Sequence, residues 1–204
     1  LSPHEPLAVL RAADAVAVLL ACGDSSEGER DRMASHALCA IVGARDIVIG
    51  RRPSGRPRLF PPYHELGVSM SRRGGLLIAA FCATRPVGVD VELAWPALEP
   101  AALSADHFST GEALAIAAMP PPTARDVFLR AWVTKEAALK VTGRGIHDGV
   151  DEPDLSGVLD RICQEDAVAL LPASARLPAL HAVTRTLEID GASIYCALAV
   201  ALAA

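Results

Sequence analysis

Lysine is almost missing from this chain. Of its 19 basic residues 17 are arginine, and only Lys135 and Lys140 are lysine. A sequence that uses arginine wherever a positive charge will serve, yet keeps two lysines in one short stretch, reads as wanting an ammonium there. Aromatic residues are scarce too, at 4%, and the net charge is −5. Few rings and an acidic balance argue against a nucleic-acid binder, which needs a basic surface. No apolar run reaches the roughly 18 residues that cross a bilayer, so no membrane association is expected. The opening residues Leu1-Ser2-Pro3-His4-Glu5 lack a basic stretch followed by an apolar one, so no secretory leader is expected. Cysteine is neither paired nor clustered. Cys22, Cys39, Cys82, Cys163 and Cys196 are odd in number and show no CxxC or zinc spacing. They are expected to be buried thiols in a reducing cytoplasm.

What is abundant is apolar. The 204 residues are 51% hydrophobic, enough for one large domain or two small intimate ones. Ala15 to Leu20 reads as a buried strand. Gly23 to Ser26 offers turn and cap chemistry for a helix over Glu27 to Val42, with Met33, Ala37, Leu38 and Ile41 inward. Ile47 to Ile49 is a short strand, and Arg51 to Pro62 a loop rich in proline, glycine and arginine. Val68 to Met70 and Leu76 to Cys82 read as strands around a turn at Arg72-Arg73-Gly74-Gly75, and Val87 to Leu93 as a further strand. The pattern then turns helical, over Asp106 to Ala118 with Pro120-Pro121-Pro122 as a stop, and over Thr123 to Val141, ended by Gly143 and Gly145. Ala182 to Ile189 and Ser193 to Ala201 form a hairpin about Asp190-Gly191. The class is α+β, with a division near Arg85-Pro86 into residues 1–86 and 87–204.

Val87-Gly88-Val89-Asp90-Val91-Glu92 alternates strictly. Its three valines take one strand face. Asp90 and Glu92 emerge side by side on the other, with Gly88 leaving space beside them. Two adjacent ionised carboxylates repel unless a cation sits between them, and hard oxygen ligands suit Mg²⁺. An ordinary amphipathic strand with solvated acids is the plainer alternative. In Trp132-Val133-Thr134-Lys135-Glu136-Ala137-Ala138-Leu139-Lys140, helical spacing puts Trp132, Glu136 and Lys140 on one face. Glu136 is then a candidate third metal ligand or general base and Lys140 a candidate phosphate partner. A core tryptophan beside a surface Glu–Lys pair would give the same pattern. Arg51, Arg52, Arg56, Arg58, Arg72 and Arg73 fall close together, either as a solvated surface or as a site for a multiply charged anion.

Taken together, Gly88-Val89-Asp90-Val91-Glu92 and the later Trp132-x-x-Lys135-Glu136-Ala137-x-x-Lys140 resemble the signature of the 4′-phosphopantetheinyl transferase superfamily. Gly55-Arg56-Pro57 resembles its Gly-Lys-Pro loop. Phe108-Ser109-x-x-Glu112 resembles the helix between the two signatures, and Gly143-Arg144-Gly145-Ile146 the turn after the second. Length and the early basic segment resemble the larger, monomeric group typified by the surfactin-synthetase-activating enzyme. The resemblance implies two similar α+β halves related by a pseudo-twofold, with coenzyme A in the cleft between them. It implies transfer of phosphopantetheine from coenzyme A to a serine of an acyl or peptidyl carrier protein, releasing 3′,5′-ADP. It also implies Mg²⁺, or Mn²⁺ in its place, on Asp90, Glu92 and Glu136, with Glu136 and Lys140 catalytic and Lys140 on the pyrophosphate. Arginines of the first half, among them Arg30, Arg56, Arg72 and Arg73, would take the 3′-phosphate.

One triplet departs from the pattern. Where the family has Ser-His-Ser, with the histidine helping to bind phosphate, this chain has Ser69-Met70-Ser71. A thioether donates no hydrogen bond, so Arg72 or Arg73 is the expected substitute. The first helix also lacks the basic residue that relatives carry at its end, and Arg30 or Arg32 is the nearest candidate. A metal-dependent nuclease would suit an Asp-x-Glu pair with a downstream Lys-Glu, but it calls for a basic, aromatic-lined groove. A degenerate transferase that binds carrier protein or coenzyme A without turnover is the alternative of a different class.

Overall fold

The computed structural model describes residues 6–95, 97–143 and 151–202. Strands β1 (Ala8–Ala12) and β2 (Ala15–Ala21) lead into helix α1 (Glu27–Val42), followed by β3 (Ile49–Arg51) and β4 (Pro57–Leu59). Next come β5 (Gly67–Arg73), β6 (Leu76–Cys82) and β7 (Val87–Leu93), then helices α2 (Pro100–His107), α3 (Thr110–Ala117) and α4 (Pro121–Thr142). A short α5 (Leu159–Ile162) precedes β8 (Ala169–Leu171), β9 (Leu180–Ile189) and β10 (Ala192–Ala201).

The strands make two antiparallel sheets, ordered β1-β2-β6-β5 and β7-β10-β9-β8, and a separate β3-β4 ribbon. Alternation decides how they stack. Leu19, Ile78 and Ala80 of the first sheet face Val89, Val91, Cys196 and Leu198 of the second, forming a core between the sheets. The opposite residues of the first sheet, Val18, Leu20, Leu77 and Phe81, are covered by Ala34, Ala37 and Leu38 of α1. The outer face of the second sheet, with Tyr195, Ala197 and Ala199, is covered by α4. The result is four layers: helix, sheet, sheet, helix. The expected α+β class holds. No helix among the described residues is long and apolar enough to cross a membrane. All five cysteines are free thiols; Cys22, Cys82 and Cys196 are buried, while Cys39 and Cys163 are only partly so.

Local chemistry explains most boundaries. Ser26 caps α1 through a reciprocal pair with Glu29, and Gly43 ends the helix at φ 68°. Helix α4 ends on Gly143 at φ 78°. Several expectations need correction. Residues 106–118 are not one helix: Phe108 is extended, and Ser109 starts α3 with a capping pair to Glu112. The prolines at 120–122 begin α4 as well as ending what precedes it, because a first-turn proline gives up no helical hydrogen bond. Ile47 and Val48 precede the strand, which runs Ile49–Arg51 and pairs with Pro57–Leu59, so part of the expected loop is a ribbon. Arg72 and Arg73 belong to β5, and the turn is Gly74-Gly75, both at positive φ. Of the Gly143-Arg144-Gly145-Ile146 segment, Arg144, Gly145 and Ile146 lie outside the described residues, as does the opening pentapeptide.

Candidate active site

The site forms where β5 and β7 meet and α4 crosses them. Val89 and Val91 of β7 are buried between the sheets, so Asp90 and Glu92 turn toward α4. Gly88 was expected to leave open space. Instead it admits the helix: a Cβ there would fall 1.9 Å from the carbonyl oxygen of Ala137. Only glycine tolerates that approach, and it places Glu136 and Lys140 over the carboxylates. From β5, alternate residues face β7. The Ser69 hydroxyl accepts from the Val89 amide at 3.2 Å, the Ser71 hydroxyl donates to Asp90 Oδ1 at 2.7 Å, and Arg73 Nε meets Glu92 Oε1 at 2.7 Å. Lys140 Nζ donates to both Asp90 Oδ1, at 2.6 Å, and Ser71 Oγ, at 3.0 Å.

These groups border a cavity of about 590 Å³ that also contacts Trp95, Leu103, Phe128 and Trp132. Its wall joins charged and polar side chains on one side to apolar ones on the other. The rings of Phe108, Phe128 and Trp132 stack behind it, at centroid separations of 5.1 Å and 5.8 Å for successive pairs. Glu136 is the electrostatic outlier. Burial, reinforced by the charge of Asp90 and opposed by Lys140, pushes its carboxyl up to about 7. Its Oε1 is buried with no hydrogen-bond partner among the described residues. Glu92 is also raised, first by burial, with the Leu93 amide and Arg73 pulling the other way.

Lys135 answers to the other side of the helix. It is wholly buried, pairs with Glu112 at 2.8 Å and donates to the Pro153 carbonyl at 2.6 Å. Its ammonium also lies 5.0 Å from the Phe108 ring centre. Glu112 in turn caps α3 and accepts from the Leu155 amide at 2.7 Å. One buried pair thus ties α3, α4 and residues 151–155 together. Of the two rare lysines, one fastens the scaffold and the other enters the cavity.

Residues 86–168 match the family described as the 4′-phosphopantetheinyl transferase superfamily. The match covers less than half of the chain. Over 94 residues the chain is 32% identical to the 4′-phosphopantetheinyl transferase HetI of Nostoc sp., a stretch that makes up 45% of this chain and 40% of that protein. The chain thus spans well under two thirds of the length of this curated relative. The matched segment takes in Asp90, Glu92, Trp132, Lys135, Glu136 and Lys140, and leaves the strand and loop residues of the first sheet outside.

Those outer residues are dispersed. Arg56 of the β3-β4 ribbon reaches the end of α4, donating to the Lys140 carbonyl at 3.4 Å, and borders a second cavity with Arg52, Arg58 and Arg85. Arg72 and Arg73 both border the first cavity but have different partners. Arg73 turns to Glu92, while the charge of Arg72 bears, with that of Arg30, on Cys22. Met70 packs partly buried against the α1 core. The guanidinium at its sulfur, 3.8 Å away, is that of Arg51, which is itself paired to Asp31 at 2.6 Å. Sequence reasoning missed Arg51 as an individual residue, because nothing in an arginine-rich loop marks which member folds back onto the helix. It also passed over Ser71 as a site residue, although the register with Ser69 pointed there. Among the described residues, no group of three or more His, Cys, Asp and Glu side chains is disposed to hold a metal ion as it stands.

Proposed function

We propose that this chain is a 4′-phosphopantetheinyl transferase that moves the phosphopantetheine group of coenzyme A to a serine of an acyl or peptidyl carrier protein. The observation that carries the reading is Lys140, beside a buried Glu136 and inside the segment that matches the superfamily, bridging Asp90 to Ser71 of β5. In the reaction the serine oxygen bonds to the β-phosphorus of the coenzyme A diphosphate. The bond from that phosphorus to the bridging oxygen breaks, and 3′,5′-ADP leaves. The serine proton needs a base, and Glu136, raised to about 7 in the metal-free site, is the candidate, directly or through a water that relays the proton. Lys140 supplies positive charge to the diphosphate from a fixed position, tethered by Ser71. The apolar wall of Trp95, Leu103 and Trp132 suits the pantetheine arm.

The acids fit Mg²⁺. Asp90 and Glu92 are hard oxygen donors on one strand face, and Glu136 Oε1 is a buried acceptor with no donor among the described residues. Asp90, Glu92 and Glu136 would hold the ion, with Mn²⁺ a workable substitute. A bound divalent cation supplies charge neutralisation to the diphosphate and the leaving phosphate. The 3′-phosphate falls to arginines of residues 1–86, with Arg30 and Arg72 best placed on the α1 side. Residues 1–86 and 87–204 are read as two halves related by a pseudo-twofold. In support, each sheet is drawn from one half and carries one long helix on its outer face. Every proposed group comes from one chain, which suits a monomer acting in the cytoplasm.

The test is direct. Incubation with coenzyme A, Mg²⁺ and an apo carrier protein should raise the carrier mass by one phosphopantetheine, and Glu136→Gln should lower the rate at least a hundredfold. Coenzyme A binding without any mass change would mark a binding module instead.

A further inference from the structure

The two carboxylates of β7 are already neutralised. Asp90 has Lys140 at 2.6 Å and Glu92 has Arg73 at 2.7 Å, so two negative charges face two positive ones. A divalent cation arriving alone finds both β7 acids already paired and Glu136 the one other acid lining the cavity, and like-charge repulsion from the side-chain cations opposes it. A diphosphate changes the balance, because its oxygens attract the same two cations. The two differ in freedom. Lys140 projects from a packed helix, is tethered to Ser71 and is mostly buried, whereas Arg73 ends β5 beside the Gly74-Gly75 turn and is 54% exposed. Glu92 is its one ion-pair partner among the described residues. Arg73 is therefore the cation that can leave its acid at small cost.

Resting on the transferase reading above, we propose that Arg73 couples metal binding to diphosphate binding. It occupies Glu92 until the anion draws it off, and so keeps the acids from taking up metal ahead of the nucleotide. Arg73 is thus a positioning residue for Glu92 and the origin of the binding order. It is not the 3′-phosphate ligand that its place in the sequence suggests.

The experiment titrates Mn²⁺ into the full chain by electron paramagnetic resonance, with and without coenzyme A. Wild type should bind Mn²⁺ at least tenfold more tightly when coenzyme A is present. Arg73→Gln should bind Mn²⁺ alone about three- to tenfold more tightly than wild type, the scale of a partly exposed ion pair. The coupling factor should shrink by the same ratio. Linkage requires the Mn²⁺-induced gain in coenzyme A affinity to shrink equally. Arg73→Lys, which keeps the charge, should retain most of the coupling. Arg11→Gln, the same charge change on β1 at the opposite edge of that sheet, should behave as wild type. A coupling factor unchanged in Arg73→Gln, or weaker Mn²⁺ binding by that variant alone, overturns the proposal and leaves the transferase reading standing. No Mn²⁺ binding by wild type even with coenzyme A would remove the metal site itself, and the proposal with it.

Discussion

Glu136 is held where its charge is unwelcome. A carboxyl raised from 4.5 to about 7 costs the fold nothing below pH 4.5, where it is protonated both folded and unfolded. Between the two values the unfolded chain ionises first, so stability falls as pH rises and the full loss is present above 7. Glu136→Gln should therefore raise stability by roughly 2–3 kcal/mol at pH 8 and leave it unchanged at pH 4. Chemical denaturation at the two pH values checks this, and an equal shift at both would show that the gain is packing. Arg72 and Arg73 should also part company. Arg72→Ala should weaken coenzyme A by roughly 1.5–3 kcal/mol, the range for a hydrogen bond to a charged group, and leave 3′-dephospho-coenzyme A unaffected. Arg73→Ala should change the two ligands alike. Calorimetry with both ligands decides the matter, and the loss of discrimination in the wrong variant would show that the two arginines are misassigned.

At the scale of elements, the sequence was most legible where alternation was strict. The valines of β7, the helix through Trp132 and Lys140, and the Asp190-Gly191 hairpin all stand as read, because burial on a defined face left one solution. The misreadings have a common cause in local signals with two meanings. Proline marks both a helix stop and a helix start, and Ser109 with Glu112 looks like helix interior until the cap geometry is seen. Gly88 invited a reading as open space when it marks contact; a lone sequence cannot tell a glycine that leaves room from one that lets a helix in. Strands β1 and β8 are short, and each pairs with the strand that follows it, β1 across the tight turn at Ala13-Asp14. The site was legible as a set of residues but not as a circuit, since the ion pairs of Arg73, Arg51 and Lys135 depend on which faces meet. Gly88→Ala should destabilise the fold by roughly 3–5 kcal/mol, because the obstacle is the backbone of α4 and cannot swing aside. Lys135→Met should cost a similar 3–5 kcal/mol by stranding the buried Glu112 carboxylate. The Glu112→Gln/Lys135→Met double variant should recover part of that loss, as read from urea midpoints. No recovery would mean that the lysine stem, not its charge, holds α3 to α4.

For the molecule as a whole, the layering matters most. Two sheets share a core, each is backed by its own helix, and the proposed chemistry sits at the edge where β5 lies beside β7, supplied from both sheets. The scarcity of lysine gives this arrangement a practical consequence. Lys135 is sealed in the interior, so the one lysine with any solvent access, at 27%, is Lys140. An amine-directed acylating reagent should thus modify the folded chain at Lys140 and the terminal amine and at no other side-chain amine. Coenzyme A should shield the former and not the latter. Peptide mapping after brief labelling would turn the ordinary chemistry of lysine into a footprint of one cavity, and labelling of Lys135 under native conditions would show that the scaffold around it opens.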